Sequence, residues 1–330
     1  MSLKNKSILL FSPAFFGYEK AIKKRLLDLD AKVDFFDERP ANTFWSKAFI
    51  RLYPQILHFY IARYYKYIYN LVKNKDYDYV FVINIEAMPK SFLNKMKEKS
   101  PSTKFILYMW DSMHNKKKAI NYLSCFDKVF SFDRNDCMEN PSVIFRPLFF
   151  LNEYANISKP QKYKYDLSFI GTAHSDRYIL LNKIRILPNV IKRNCYFYLY
   201  LQNWKLFLLY KIKNSAFRKA NFRDFNYVPL TKNELMNLIE ESRIVIDIQH
   251  PKQVGLTIRT IEMLGAHRKL ITTNATIKDY DFYNPNNILI IDREDPKIPD
   301  MFFDADYEPV DQTVYYKYSL NGWLNDIFVI

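Results

Sequence analysis

The chain has 330 residues, a mass of 39.7 kDa and a formal net charge of +14, with 49% hydrophobic and 25% charged residues. That apolar share offsets the entropy of ordering and excludes a disordered chain, while the length exceeds what one core usually fills and points to two domains of about 150 residues. No apolar run reaches the roughly 18 residues of a membrane span, the opening MSLKNKSILLFSPAFF lacks a small-residue cleavage site, and Cys125, Cys137 and Cys195 form no C-x-x-C pair, so the reading is a cytoplasmic protein with reduced thiols.

In chain order, the first half alternates strand-like and helix-like segments. Strands are predicted at Ser7–Ser12, Val33–Phe36, Tyr79–Ile85, Lys104–Trp110, Lys128–Phe132 and Val143–Phe145, and helices at Tyr18–Leu29, Thr43–Lys73, Ser91–Lys99 and Lys116–Cys125. This is the rhythm of a parallel sheet with crossover helices, closing near Pro147. NEYANISKPQKYKY, residues 152–165, is polar, basic and without periodicity, and reads as a surface linker. A second alternating series follows, with strands at Asp166–Ile170, Cys195–Leu201, Ile244–Ile248, Lys269–Thr272 and Ile288–Ile291. Its helices are expected at Asp176–Leu187, Thr231–Glu240, Leu256–Ala266 and Ser319–Phe328. The expected organisation is an α/β chain of two Rossmann-like domains facing across a cleft. The first covers residues 1–150, a linker 151–165, the second domain 166–318 and a terminal helix 319–330.

The excess of positive charge calls for an anionic partner, whether nucleic acid, an anionic membrane face or a phosphate-bearing substrate. Ligands of open parallel sheets sit beyond the carboxyl ends of the strands, so the loops after each strand are the candidate sites. In DLSFIGTAHSDR, Gly171 and Thr172 end a strand before a helix that opens near Asp176, and Arg177 adds charge. A helix start of this kind suits a phosphate, or it is an ordinary capped turn. In IVIDIQHPKQVGLTIRTIEMLGAHRKLITTN, a strand delivers Gln249 and His250, then Gly255 and Leu256 open a helix whose Arg259 and Glu262 lie three apart. A diphosphate fits that helix start, and a carboxylate one turn deeper can accept the hydroxyl protons of a ribose. The alternative is a solvent-facing ion pair of little value.

Three carboxylates after strands of the first half are candidate general bases toward an acceptor hydroxyl: Asp111 in FILYMWDSMHN, Glu19 in SPAFFGYEK and Glu86 in VINIEAMPK. Each has a structural alternative, Asp111 as the cap of the next helix and the glutamates as first-turn partners of their helix dipoles. The D-x-D pairs Asp28/Asp30, Asp76/Asp78, Asp279/Asp281 and Asp304/Asp306 do not follow strands, so no metal site is expected. FWSKAFIRLYPQILHFYIARYYKYIY and FYLYLQNWKLFLLYKIKNSAFRKANFR mix aromatic and basic residues, as a membrane interface or lipid-linked acceptor would require, or as ordinary core does. No nucleic-acid-binding motif is present, and nucleic acid is not an expected partner.

The pattern FFGYEKAIKKRL, VDFFDERP, YMWDSMHN, YDLSFIGTAHSDRY, RTIEMLGAHRKLITTN and YSLNGWL resembles, over nearly the whole chain, the GT-B glycosyltransferases of bacterial polysaccharide and lipopolysaccharide clusters, especially relatives of the spore maturation protein (CgeB-like) family. The resemblance implies a nucleotide-diphosphate sugar as donor substrate and no metal or other cofactor. The Gly171 loop and the Arg259/Glu262 helix would bind the donor, with Glu262 in the place of the family's ribose-binding glutamate. The acceptor would be a glycan, lipid-linked at the inner face of the plasma membrane, held by the first domain. A catalytically silent glycan-binding protein of the same fold is the alternative.

Overall fold

The computed structural model describes residues 3–40, 54–213 and 215–328. The chain forms two compact units, one running to Pro147 and joined by the segment from Trp323 onward, the other spanning Leu148–Gly322.

In the first unit the elements are β1 (Ser7–Phe11), α1 (Tyr18–Asp28), β2 (Lys32–Phe36), α2 (Pro54–Val72), β3 (Tyr79–Ile83), α3 (Lys90–Lys99), β4 (Lys104–Met109), a 3-10 helix (Lys117–Cys125), β5 (Lys128–Ser131), α4 (Arg134–Glu139) and β6 (Val143–Phe145). Among the described residues the strands make one parallel sheet in the order β2-β1-β3-β4-β5-β6. Runs such as SILLF and YVFVI are apolar throughout because a parallel strand covered on both sides has no solvent face. Leu9, Phe11, Val80, Val82, Phe105 and Leu107 pack on one side against Ile68, Val72, Phe92 and Leu93. Trp323 meets Tyr108 edge-on at 4.8 Å and lies 5.8 Å from Phe81, so the returning segment belongs to this unit's core.

The second unit contains α5 (Asn152–Ala155), β7 (Tyr165–Thr172), α6 (Arg177–Arg185), β8 (Cys195–Tyr200), α7 (Trp204–Lys213), α8 (Lys232–Glu241), β9 (Ser242–Asp247), α9 (Ile258–Gly265), β10 (Lys269–Thr272), β11 (Ile288–Ile290), α10 (Asp300–Asp304), α11 (Gln312–Lys317) and α12 (Leu320–Phe328), whose last residues belong to the first unit. Its parallel sheet runs β11-β10-β9-β7-β8. Chain direction therefore reverses between β7 and β9, which makes their carboxyl ends the switch point where open α/β sheets bind ligands. Helix starts follow local chemistry: Thr231 and Glu234 form a reciprocal capping box on α8.

Several expectations change in detail. Residues 43–53 of the expected long helix lie outside the described residues, and the helix is seen from Pro54. The segment from Lys117 to Cys125 is a 3-10 helix, and α4, α7, α10 and α11 were not anticipated in the order of elements. The polar stretch after Asn152 opens with α5, whose Tyr154 is buried within the second unit.

Gly265 ends α9 where a Cβ would stand 2.5 Å from Cγ of the buried Phe150 ring. Gly265→Ala is expected to lower stability by about 1–3 kcal/mol despite alanine's better helix propensity. Urea denaturation reads the change, and an unaltered midpoint would show that Phe150 moves aside freely.

Candidate functional site

The carboxyl end of the second sheet is organised by a buried carboxylate. Asp247, the last residue of β9, is 4% exposed and accepts hydrogen bonds from the hydroxyls of Thr257 and, at 2.7 Å, Thr260. Thr257 in turn caps α9 by accepting from the Thr260 amide. Strand and helix are thus tied together across the Gln249–Leu256 loop. Asn274 and Thr276, from the segment after β10, donate to the carbonyl of Val254 at 3.0 and 3.1 Å and fix the same loop from its other side.

Two arginines hold the loop's first carbonyls. Arg177 donates from Nε to the Ile248 carbonyl at 2.8 Å and from Nη1 to the Thr172 carbonyl at 2.9 Å, bridging the ends of β9 and β7. Arg293, beyond β11, donates to the Gln249 carbonyl at 2.7 Å and grips both oxygens of Asp176 at 2.9 and 2.7 Å. Burial, with Arg259 and Arg293 nearby, pushes the Arg177 guanidinium down from its usual value, partly offset by Asp247 and Asp176. Three guanidinium groups therefore share one small region at the switch point, as binding of a multiply charged anion requires. His174 faces His250 with ring centroids 5.8 Å apart, and burial, then Arg177 and His250, push its pKa down to about 4.

One turn into α9, Arg259 Nη1 lies 2.8 Å from Glu262 Oε2, with side chains only 18% and 5% exposed. This is not the solvent-facing pair weighed from sequence: both charges are desolvated, at a cost an exposed pair does not carry. The Tyr154 hydroxyl of α5 hydrogen-bonds Glu262, and burial and that carboxylate raise its pKa far above the ordinary phenol.

Gly171 lies inside β7, not in a turn beyond it. A Cβ there would stand 3.0 Å from the Phe169 ring and 3.2 Å from Arg177 Nη1, so its bare backbone makes room for the arginine. Thr172 ends the strand with its side exposed, and Gly255 and Leu256 are buried before the helix, which begins at Ile258 instead of Leu256. His250 is exposed, its Nδ1 accepting from the Lys252 amide at 3.2 Å. Gly171 and Thr172 form the carboxyl end of β7 itself, and Arg177, His250, Gly255, Leu256, Arg259 and Glu262 lie on the loops and helices that follow β7 and β9.

In the first unit the equivalent switch point lies between β1 and β3. Glu86 accepts from Asn84 Nδ2 at 2.7 Å and pairs with Lys116 at 2.9 Å, while the same Lys116 stands 3.9 Å from Asp111. Asp111 accepts from Asn115 Nδ2 at 3.0 Å and keeps 38% of its side chain exposed; it is engaged by the side chains of Asn115 and Lys116 and does not act as a backbone cap of the next helix among the described residues. Glu19 is buried and accepts from the Phe15 amide at 3.0 Å, fixing the loop ahead of α1. Asp111 and Glu86 are thus brought together by a shared lysine, and Glu19 is engaged by backbone. Glu38 holds the Glu86 loop itself: its Oε1 accepts from the amides of Glu86, Ala87 and Met88, and burial pushes its pKa up to about 8.

Sequence reasoning missed Arg293, Tyr154, Asp247, Lys116 and Glu38. Arg293 has no local signal, since its carboxylate partner is 117 residues away. Asp247 was legible in principle as the strand-end aspartate ten residues before Thr257. Among the D-x-D residues, Asp78 pairs with Lys6, Asp281 with Lys317, and Asp304 with Arg193. Among the described residues no group of three or more histidine, cysteine, aspartate or glutamate side chains is placed to hold a metal ion.

No protein-family model and no curated protein sequence matches the chain. Solved structures do. A glycosyltransferase from Rickettsia africae superposes with a TM-score of 0.60 at 15% identity, covering 98% of this chain and 96% of its own. HepE (Alr3699) of Anabaena, in complex with UDP and glucose, gives 0.58 at 10% identity over 98% of both chains. A Methanocaldococcus jannaschii UDP-GlcNAc 2-epimerase, bound to UDP-GlcNAc and UDP, gives 0.50 at 10% identity over 98% of this chain and 99% of its own. The fold is therefore of the GT-B class, two successive Rossmann-like α/β units.

His174 supplies a pH test of the cluster. Its folded pKa of about 4 lies below the ordinary 6.5, so the unfolded chain binds its proton first and stability is lost as pH falls from about 6.5 to 4. Thermal melts of His174→Gln are expected to show a smaller decline than the native chain over that window. An identical decline would remove His174 from the account.

Proposed function

We propose that this chain is a glycosyltransferase that moves a sugar from a nucleotide-diphosphate donor to a hydroxyl of a glycan acceptor, with the donor held by the second unit. The observation that carries the reading is the desolvated Arg259–Glu262 pair on α9, beside Arg177 and Arg293 at the switch point of a parallel sheet. A carboxylate paired with arginine there can accept from both ribose hydroxyls, and the guanidinium groups face charge that grows on the departing diphosphate. The structural similarity to HepE with UDP and glucose supports a donor of this class.

Transfer breaks the bond between the anomeric carbon and the phosphate oxygen and forms one to the acceptor oxygen, whose proton passes to a carboxylate. Asp111 is our assignment for that base, since it is more open to solvent than Glu86 and does not share its short contact with Lys116. Lys116 lies between the two carboxylates, 2.9 Å from Glu86 and 3.9 Å from Asp111, and holds them near one another. In this reading arginines, not a metal ion, neutralise the leaving group. The resemblance in sequence pattern supports an acceptor of the bacterial surface-polysaccharide or lipopolysaccharide type.

Calorimetry with UDP, GDP and CMP, followed by assays with the matching nucleotide sugars, tests the donor site. Arg259→Ala and Glu262→Ala are each expected to weaken nucleotide binding at least about tenfold and to abolish transfer. Full activity in both would remove the proposed site. Glycan binding without any nucleotide affinity would mark a catalytically silent protein instead, and conversion of the donor to its epimer would mark an epimerase of the same fold.

The base is tested separately. Asp111→Asn should lower kcat by about 10²–10⁴ while nucleotide affinity stays within about twofold. If Glu86→Gln shows that pattern and Asp111→Asn does not, the two carboxylates exchange roles.

A further inference from the structure

Helix α7 and the turns after it leave an apolar stripe uncovered. Trp204, Leu208 and Ile212 are spaced by four and so lie along one face, 54%, 47% and 78% exposed, with Leu209 beside them. The helix is anchored from its other side, where Phe207 is buried against Phe225 at 5.6 Å and Phe222 at 5.8 Å. Phe222, half exposed, stacks on Tyr227 at 4.4 Å and adds an exposed ring on the segment that follows the helix. Single exposed leucines are ordinary on a protein surface, but a contiguous aliphatic and aromatic stripe rimmed by cations is not.

The charge around the stripe is one-sided. Between Leu201 and Leu230 the chain carries Lys205, Lys211, Lys213, Arg218, Lys219 and Arg223 against the single acid Asp224. Asp224 is engaged by the Tyr178 hydroxyl and the Asn221 amide. Lys205, Lys213, Arg218, Lys219 and Arg223 are exposed. Aliphatic side chains at Leu208, Leu209 and Ile212 offer nothing to a nucleic acid, which reads stacking and hydrogen bonds. They fit the acyl boundary of a bilayer, with tryptophan at headgroup level and lysines and arginines on the phosphates. Among the described residues no helix is long and apolar enough to cross a membrane, so a surface mode is the one this element permits.

We infer that the exposed face of α7, with Phe222 and the surrounding lysines and arginines, docks the second unit on the surface of an anionic phospholipid bilayer. The helix lies in the interfacial plane, its Trp204–Leu208–Ile212 stripe inward. This inference stands on the patch itself and holds whether or not the donor-site reading does.

Sedimentation with vesicles of phosphatidylglycerol and phosphatidylethanolamine, against vesicles of phosphatidylcholine alone, tests it. The full chain should partition onto the anionic vesicles, less as salt is raised, and weakly onto phosphatidylcholine. Leu208→Glu with Ile212→Glu should lower that partitioning at least about tenfold, and replacing Lys213, Arg218 and Lys219 by glutamine should cost about fivefold per charge removed. Nucleotide affinity should not change in either variant, so loss of vesicle binding is separable from failure of the donor site. In the unaltered chain, brominated lipids should quench Trp204, read as the difference from Trp204→Phe, with Leu208 and Ile212 left as they are. Equal vesicle binding by all variants, absence of Trp204 quenching, or self-association through this face in lipid-free light scattering would each overturn the inference.

Discussion

A carboxylate with almost no access to water, Asp247, fixes the geometry on which the second unit's site depends. By accepting from Thr257 and Thr260 it sets where α9 begins relative to the end of β9, and so which way Arg259 and Glu262 project one turn later. The hydroxyls satisfy the buried charge, and the neighbouring guanidinium of Arg177 balances it electrostatically. Remove the aspartate and the loop keeps its ties to Asn274, Thr276 and the two arginines but loses the link that sets where α9 begins.

The same economy of cross-ties recurs at the loops themselves. Arg177 and Arg293 spend donors on the carbonyls of Ile248 and Gln249, so the loop after β9 is held by cations that also create the local positive field. One set of side chains therefore does both the positioning and the electrostatics, which is what preorganisation toward an anion demands. In the first unit Glu38 plays the complementary part with the opposite sign, gathering three amides of the loop that carries Glu86. The carboxylate Glu19, a candidate on sequence, is absorbed into a loop in just this way, whereas Asp111 stays open to solvent.

Much of the fold was legible in the residues because parallel strands covered on both sides are written as unbroken apolar runs. SILLF, YVFVI and KFILYM announce themselves as strands, while the register in which they pair is seen only in the structure, since an unbroken apolar run favours no one register. Elements without such a signature escaped: α4 is too short for a period, and α7 is apolar nearly all round, with neither a strand's alternation nor one apolar face. At the site, residues sharing a motif were found together, Arg259 with Glu262 and Gly171 with Arg177. Arg293 and Tyr154 reach it from distant or seemingly unstructured sequence, and only tertiary packing reveals them. Gly171 was expected where the strand gives way to a phosphate-suited helix start, whereas it lies inside β7 and the room left by its missing side chain is taken by the protein's own arginine.

Trp323 seated against Tyr108 and Phe81 has a temporal side. The ribosome makes the first sheet early, then the whole span from Leu148 to Gly322, and only afterwards the indole and phenyl rings that cover the sheet's second face. Until then Phe81 and Tyr108 lack their final cover, so the nascent first unit carries an apolar surface while its neighbour is still being translated. Completion of the earlier-made half is thereby delayed until the later-made half has emerged, and chaperone demand during synthesis should fall on the first unit.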